Sequence, residues 1–96
     1  MICDRIKQLR EQAGYSQAQL AKRLDVTRSS VNAWEMGFSM PTTQYVVALA
    51  KLFHVSADYL LGLTASSSIV LDGYTQEKIE LLYKLIRYFD DQKKQR

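Results

Sequence analysis

The chain has 96 residues, of which 13 are basic and 10 are acidic, and its formal net charge is +3. This length predicts one small domain with at most an appendage, which leaves no room for a separate catalytic or ligand-binding domain. No apolar run is long enough to span a bilayer, Asp4 and Arg5 exclude a secretory signal, and Cys3 has no second cysteine to pair with, so we expect a cytoplasmic protein.

Apolar residues at helical spacing, separated by capping residues, predict five helices between Ile2 and Gly62. Gly14 closes the first helix, because glycine readily adopts the left-handed backbone that follows a helix. Ser16 caps the second helix, and Gln19 three residues later completes a capping box. Ser16 and Gln19 therefore predict where the second helix begins.

The third helix begins after Thr27 and ends at Gly37, with Val31 and Trp34 facing inward. A tight turn of two residues separates it from the second helix. Short helices joined in this way pack against each other at a fixed angle, and the inward residues set that angle.

The next two helices follow a loop that contains a proline. Thr42 or Thr43 caps the fourth helix, and Ser56 caps the fifth. Phe38 and Met40 are expected to tuck beneath the loop, whereas an exposed pair would indicate a contact with another protein.

Composition changes in the last third of the chain. Residues 64–74 are predicted to be a linker, in which Ile69 to Leu71 form a short strand. Thr75 then caps a final helix that reaches about Asp90, within a C-terminal unit of residues 75–96. Apolar residues on two faces of this helix need cover on both, which favours dimerisation over packing within one subunit. The residues predicted to meet in the dimer are Ile79, Leu82, Ile86 and Phe89.

The third helix carries polar residues on its outer face, near its N-terminus. Such a helix can enter the major groove of DNA, where Arg pairs with guanine, Asn with adenine and Ser with either, while Ala meets the thymine methyl group. The predicted base contacts are Arg28, Ser29, Asn32 and Ala33. Ser16, Gln17 and Thr27 stand at helix N-termini, where backbone amides and the helix dipole favour a phosphate.

A longer pattern joins these landmarks. It runs Gln17-x-x-Leu20-Ala21-x-x-Leu24-x-Val26-Thr27-x-x-Ser30-Val31-x-x-Trp34-Glu35-x-Gly37, then Pro41, Leu49-Ala50 and Val55-Ser56-x-Asp58-Tyr59-Leu60-Leu61-Gly62. The pattern resembles the phage-repressor and Cro type of helix-turn-helix regulators, the Xre-like family, over roughly Ile2 to Gly62. The resemblance implies an all-α fold, in which residues 1–63 are a five-helix DNA-binding domain and the C-terminal helix serves dimerisation.

The resemblance also implies a function, that of a sequence-specific transcriptional regulator that binds an inverted repeat as a homodimer. Repression is the simpler expectation, because occupying a promoter needs no contact with polymerase. In the family, the residue at Gln17 meets phosphate, and an ion pair joins the positions of Arg10 and Glu35. Arg10 would then orient the reading helix and lean toward a phosphate.

Two departures from the family pattern concern phosphate contacts. The family often has asparagine at the position of Met36, and a basic loop where Phe38-Ser39-Met40 stands here. Backbone amides and the hydroxyls of Ser39, Thr42 and Thr43 must serve instead. We therefore predict a shallow dependence of DNA binding on salt.

Other functions stay open at this stage. An antitoxin or a restriction–modification controller would use the same fold, and a protein-interaction adaptor without DNA binding is favoured by the loop that lacks basic residues. We expect no enzyme, cofactor or metal site, because no nucleophile–base set is present and His54 stands alone, so it is expected to end the fourth helix. The expected partners are double-stranded DNA, a second copy of the chain and a protein antagonist, without a membrane.

Overall fold

Six helices account for most of the residues that the computed structural model describes, which are residues 1–65, 69–71 and 73–94. They are α1 (Ile2–Gln12), α2 (Gln17–Leu24), α3 (Arg28–Met36), α4 (Thr43–Phe53), α5 (Ala57–Leu60) and α6 (Gln76–Lys94). The predicted all-helical fold, five helices followed by a C-terminal one, is confirmed for these residues. Parts of the predicted linker and C-terminal unit, residues 66–68, 72 and 95–96, lie outside the described residues. No helix in the described part of the chain is long and apolar enough to cross a membrane.

Hydroxyl groups cap the helices where the sequence predicts. Ser16 Oγ accepts a hydrogen bond from Gln19 N at 3.1 Å, and Gln19 Oε1 accepts one from Ser16 N at 2.8 Å, which confirms the capping box. Thr27 Oγ1 and Ser56 Oγ each accept a hydrogen bond from the backbone amide three residues later, both at 3.1 Å. Each such cap contributes about 1 kcal/mol to stability. Thr42 is the N-cap of α4, without a capping hydrogen bond from its side chain.

One apolar core lies between helices α1 to α5. Each of these helices contributes one fully buried side chain, and these are Ile6, Leu20, Val31, Leu49 and Leu60. Removing each of these side chains from water contributes about 1.5–3 kcal/mol. Trp34 of α3 is also buried, and its ring packs against Tyr45 of α4 with centroids 5.5 Å apart. The prediction that Trp34 faces inward is confirmed, and α3 is therefore fixed to the core along one side.

Helix α6 stands apart from that core. In the described chain no extensive helix–helix packing joins α6 to the other helices, and the radius of gyration is 15.4 Å. A compact chain of this length would have a radius of gyration of about 12.5 Å. Thr75 Oγ1 accepts a hydrogen bond from Lys78 N at 3.3 Å, as a cap should. The predicted end near Asp90 is wrong, because α6 continues to Lys94, and Gln92 Nε2 donates to Tyr88 Oη one turn earlier at 2.6 Å.

The segment before α6 also differs from its prediction. Ile69 to Leu71 do not form a strand in the described chain. Instead, Val70 N donates to the backbone oxygen of His54 at 2.8 Å. A strand needs the edge of another strand, whereas the backbone that lies beside Val70 is the C-terminal end of α4.

Candidate nucleic-acid interface

The α2–turn–α3 unit is built so that one side of α3 stays exposed. Asp25 ends α2 in the left-handed backbone conformation with φ 57°, and Val26 N donates to Ala21 O at 3.0 Å. Ala21 is only 4% exposed, and its small side chain permits close approach of the two helices. Val31 and Trp34 are buried on the inner side of α3, while Arg28, Ser29 and Asn32 are exposed on its outer side.

Four polar side chains share this outer surface. Gln17, Arg28, Ser29 and Asn32 together line a shallow cavity of about 330 Å³. Arg28, Ser29 and Asn32 are exposed, while Gln17 is half-buried at the first turn of α2. The fold thus brings three of the four predicted base contacts together with one predicted phosphate contact. The fourth predicted base contact, Ala33, is half-buried and does not line this cavity.

Gln17 connects the exposed surface to the interior of the domain. Its Nε2 donates to Asn32 Oδ1 at 3.2 Å and to Glu35 Oε1 at 3.2 Å. These bonds cross from α2 to α3, so they fix the side chain of Asn32 relative to α2. Gln17 was predicted to contact a phosphate, and its hydrogen bonds to Asn32 and Glu35 were not predicted. The only sequence signal for them is a glutamine just after the N-cap of α2 together with an asparagine on the outer face of α3.

The ion pair between Arg10 and Glu35 is present and largely buried. Arg10 Nε donates to Glu35 Oε2 at 2.6 Å and Arg10 Nη2 donates to Glu35 Oε1 at 3.0 Å, while the two side chains are 11% and 2% exposed. The hydrogen bond from Glu35 raises the pKa of Arg10 above its ordinary value, against the opposing effect of burial. Such a paired, two-point contact ties α1 to α3 with a defined geometry.

The hydrogen bonds of Arg10 also limit how it could contact a phosphate. Its remaining terminal nitrogen, Nη1, donates to the backbone oxygen of Tyr15 at 2.8 Å. All three nitrogens therefore have partners inside the domain, while Nη1 and Nη2 each keep a second hydrogen to donate. The phosphate contact of Arg10 stays a prediction, and so does its role in orienting α3.

The other predicted phosphate contacts lie at the surface. Ser16 and Thr27 are exposed, and each hydroxyl oxygen already accepts the hydrogen bond that caps its helix. Ser16 still has its own hydroxyl hydrogen to donate. Thr27 Oγ1 also lies 3.0 Å from Ser30 Oγ, and either of these two hydroxyls can be the donor. Ser39 and Thr43, also exposed, follow α3 in the loop and at the first residue of α4.

The loop after α3 is apolar and open to solvent. Phe38 is 77% exposed and Met40 is 66% exposed, and Met36 at the end of α3 is 60% exposed. The prediction that Phe38 and Met40 tuck beneath the loop is wrong. Pro41 and Trp34, which flank the two residues along the chain, are buried in their place.

Two observations concern other kinds of site. Within the described residues, no group of three His, Cys, Asp or Glu side chains lies where it could hold a metal ion. His54 ends α4 as predicted, with φ 55°, and its ring contacts the segment before α6. No sequence signal pointed to those ring contacts, because they depend on how the chain returns after residue 65.

The sequence is similar to those of known helix-turn-helix regulators. A family model described as helix-turn-helix matches residues 6–60. The HTH-type transcriptional regulator YobD of Bacillus subtilis is 39% identical over 64 residues, which cover 67% of this chain and 57% of YobD. The chain thus spans little more than half of that relative. The SPbeta prophage-derived HTH-type regulator YonR of Bacillus subtilis is 34% identical over 102 aligned positions, which cover 91% of this chain and 94% of YonR.

Solved structures show the same arrangement of helices. The P22 c2 repressor in complex with a synthetic operator superposes with a TM-score of 0.60 and 30% identity, over 62% of this chain and 91% of the repressor. A chain of the complex between the SinR and SinI proteins superposes with a TM-score of 0.61 and 27% identity, over 98% of this chain and 95% of that one. The second superposition therefore extends through α6.

Proposed function

The chain belongs to the phage-repressor and Cro type of helix-turn-helix family, and on this basis we propose that it is a sequence-specific regulator of transcription that binds double-stranded DNA. The observation that carries the proposal is the cluster of Gln17, Arg28, Ser29 and Asn32 around one shallow cavity on the exposed side of the motif. These side chains offer the donors and acceptors that read base edges in the major groove. The P22 c2 repressor, similar in fold, was solved with an operator.

We assign the contacts as follows. Arg28, Ser29 and Asn32 contact base edges, and Ala33 lies against a thymine methyl group at the margin of the same surface. Contacts to phosphates come from Arg10, through its spare guanidinium hydrogens, and from neutral groups, which are Ser16, Gln17, Thr27, Ser39 and Thr43. Arg10 and Glu35 fix the angle between α1 and α3, so that the base contacts and the phosphate contacts can form at the same time. Contacts to phosphates position a protein on the duplex, whereas contacts to base edges recognise the sequence. In this assignment each DNA-contacting residue has one of these two roles.

We further propose that the chain binds DNA as a homodimer formed through α6. Several large apolar side chains of α6 are exposed, and with the preceding segment they line a groove of about 410 Å³ formed by Ile69, Leu71, Leu82, Tyr83, Leu85, Ile86 and Phe89. A single helix reads too few base pairs for high specificity, whereas two copies about 34 Å apart read an inverted repeat. A dimer on such a repeat near a promoter would act as a repressor.

A protein-interaction adaptor is the second candidate, because one observation favours it. The exposed side chains of Met36, Phe38 and Met40 form an apolar loop surface beside the reading helix. An adaptor would use this loop and would have no need for the polar surface around Asn32. An antitoxin or restriction–modification controller would share the DNA-binding proposal and differ only in its neighbouring genes.

Selection from a pool of random DNA duplexes at fixed salt tests the proposal. We expect recovery of an inverted repeat whose half-sites lie one helical turn apart, and a complex of two chains per duplex by sedimentation. The Arg28→Ala and Asn32→Ala chains should remain folded and should lose this enrichment. Recovery of no sequence above the non-specific background would overturn the proposal in favour of the adaptor.

A further inference from the structure

His54 joins the five-helix domain to the segment that leads into α6. Its Nδ1 donates to Val70 O at 2.9 Å, because a carbonyl oxygen only accepts, and its Nε2 then accepts from Tyr74 Oη at 3.0 Å. A single neutral form of the imidazole satisfies both bonds. The rings of His54 and Tyr74 also lie against each other, with centroids 4.6 Å apart. We call His54, Val70 and Tyr74 the His54 clasp.

Backbone contacts reinforce the clasp on both sides. Val70 N donates to His54 O at 2.8 Å, so these two residues are joined twice. Tyr74 N donates to Leu71 O at 3.2 Å, which closes a turn. Thr75, the next residue, caps the first turn of α6 through Lys78 N at 3.3 Å. These hydrogen bonds therefore support the path from the end of α4 to the start of α6.

The packing between this segment and α4 is incomplete, although Val70 and Leu71 are half-buried. A cavity of about 380 Å³ remains between the segment and α4, lined by residues that include Val47, Lys51, Val55 and Val70. In the described chain, α6 has no extensive packing against the other helices. The polar contacts of the clasp therefore help to set the direction in which α6 leaves the domain.

We propose that His54 is a positioning residue, which through Val70 and Tyr74 sets the direction of α6 and thereby the half-site spacing that the dimer accepts. The proposal rests on the proposed function, in which α6 joins two DNA-binding domains. Phe89 is 13 residues beyond the start of α6 at Gln76, which is about 20 Å along the helix. A rotation of about 10° at the clasp moves that point by about 3.5 Å, which is the rise of one base pair.

The test uses full-length variants on a series of operators whose spacers differ by one base pair. His54→Asn removes the imidazole and keeps a residue that tolerates the left-handed backbone at this position. Tyr74→Phe removes only the hydroxyl that bonds to His54 Nε2. We expect the wild-type chain to prefer one spacer about tenfold over its neighbours, and both variants to lose most of this preference, as expected for the loss of one or two hydrogen bonds. Tyr88→Phe, which removes an exposed hydroxyl from α6 outside the clasp, should retain the preference.

A distance measurement within one chain separates this proposal from the proposed function. Spin labels at Lys22→Cys and Glu80→Cys, in a Cys3→Ser background, report the position of α6 relative to α2. We expect a narrow distance distribution in the wild-type sequence and in Tyr88→Phe, and a broad one in His54→Asn and Tyr74→Phe. Unchanged distributions or unchanged spacer preference would overturn the clasp proposal. If no operator is found, the proposed function fails, and the distance distributions alone decide whether the clasp positions α6.

Discussion

Gln17 holds Asn32 across the turn between α2 and α3, with Gln17 Nε2 donating to Asn32 Oδ1 at 3.2 Å. The same nitrogen donates to Glu35, which is fixed in turn by Arg10. The orientation of Asn32, an exposed side chain that we propose reads a base, is thus linked to a largely buried ion pair. Asn32 keeps its own amide hydrogens and one acceptor position on Oδ1 for a base.

We expect Gln17→Ala and Asn32→Ala to weaken operator binding in a non-additive manner. Loss of a base contact costs about 1–3 kcal/mol, which is about 5- to 150-fold in affinity. Gln17→Ala should cost part of the same free energy, because it leaves Asn32 free to adopt unproductive rotamers. A double-mutant cycle measured by equilibrium titration at fixed salt should give a coupling free energy of at least about 0.5 kcal/mol.

Gln8→Ala provides the control for this cycle. Gln8 is an exposed glutamine on α1, outside the proposed interface, so its removal should leave affinity unchanged. Strictly additive effects of Gln17→Ala and Asn32→Ala would show that the hydrogen bond between them does not contribute to DNA reading.

The Arg10–Glu35 pair should matter for stability more than an ordinary surface ion pair. We expect Arg10→Met to lower the free energy of unfolding by about 3–5 kcal/mol, because it leaves the carboxylate of Glu35 buried without its partner. Glu35→Gln should cost less, since the amide can still bond to Arg10. Urea denaturation of each variant, followed by circular dichroism, measures the differences.

The direction of the pKa shift of Arg10 determines how the stability contributed by the Arg10–Glu35 pair depends on pH. The pKa of Arg10 is raised in the folded state, so the protonated form stabilises the fold at every pH below its unfolded-state pKa. This stability is lost only as the pH rises through that high range, and the difference between wild type and Arg10→Met should be constant around neutral pH. Arg28→Met, at an exposed position, should change stability by no more than about 0.5 kcal/mol. A loss from Arg10→Met as small as that would contradict the prediction.

Helix α6 should carry self-association without contributing to the fold of the first five helices. Ile86 is 50% exposed and lines the apolar groove, so Ile86→Glu places a charge in the proposed dimer contact. We expect a folded monomer by sedimentation and about 100-fold weaker operator binding, because two half-sites are no longer linked. Cutting the chain after Leu63 should have the same effect, since the described core contains no residue of α6.

Lys84→Glu is the matched control, because Lys84 lies on the same helix and does not line the groove. It should remain a dimer. A fully dimeric Ile86→Glu chain would place the dimer contact elsewhere.

The sequence predicted the parts of this molecule that depend on local chemistry. The capping box at Ser16, the helix end at His54 and the buried face of Trp34 each follow from residues within a turn or two. The hydrogen bond from Gln17 to Asn32 was not predicted, because it joins residues that are 15 positions apart and depends on the angle between two helices. The clasp between His54 and Tyr74 escaped prediction for the same reason, and Phe38 was placed inside because loop burial depends on space that only the packed core defines.

Finally, we expect DNA binding to depend only shallowly on salt, because all but one of the proposed phosphate contacts are neutral. The slope of log affinity against log salt is about −0.9 for each phosphate neutralised by a cation. Hydroxyl and amide donors neutralise none, and the charge of Arg10 is already paired with Glu35 inside the domain. The dimer should therefore release fewer than about ten ions. Ser39→Lys should steepen the slope by about two for the dimer, one from each subunit, whereas Gln8→Lys, outside the interface, should leave it unchanged. A slope as steep as about −9 for the wild-type dimer would mean that cationic side chains, and not the hydroxyls of Ser39 and Thr43, meet the phosphates.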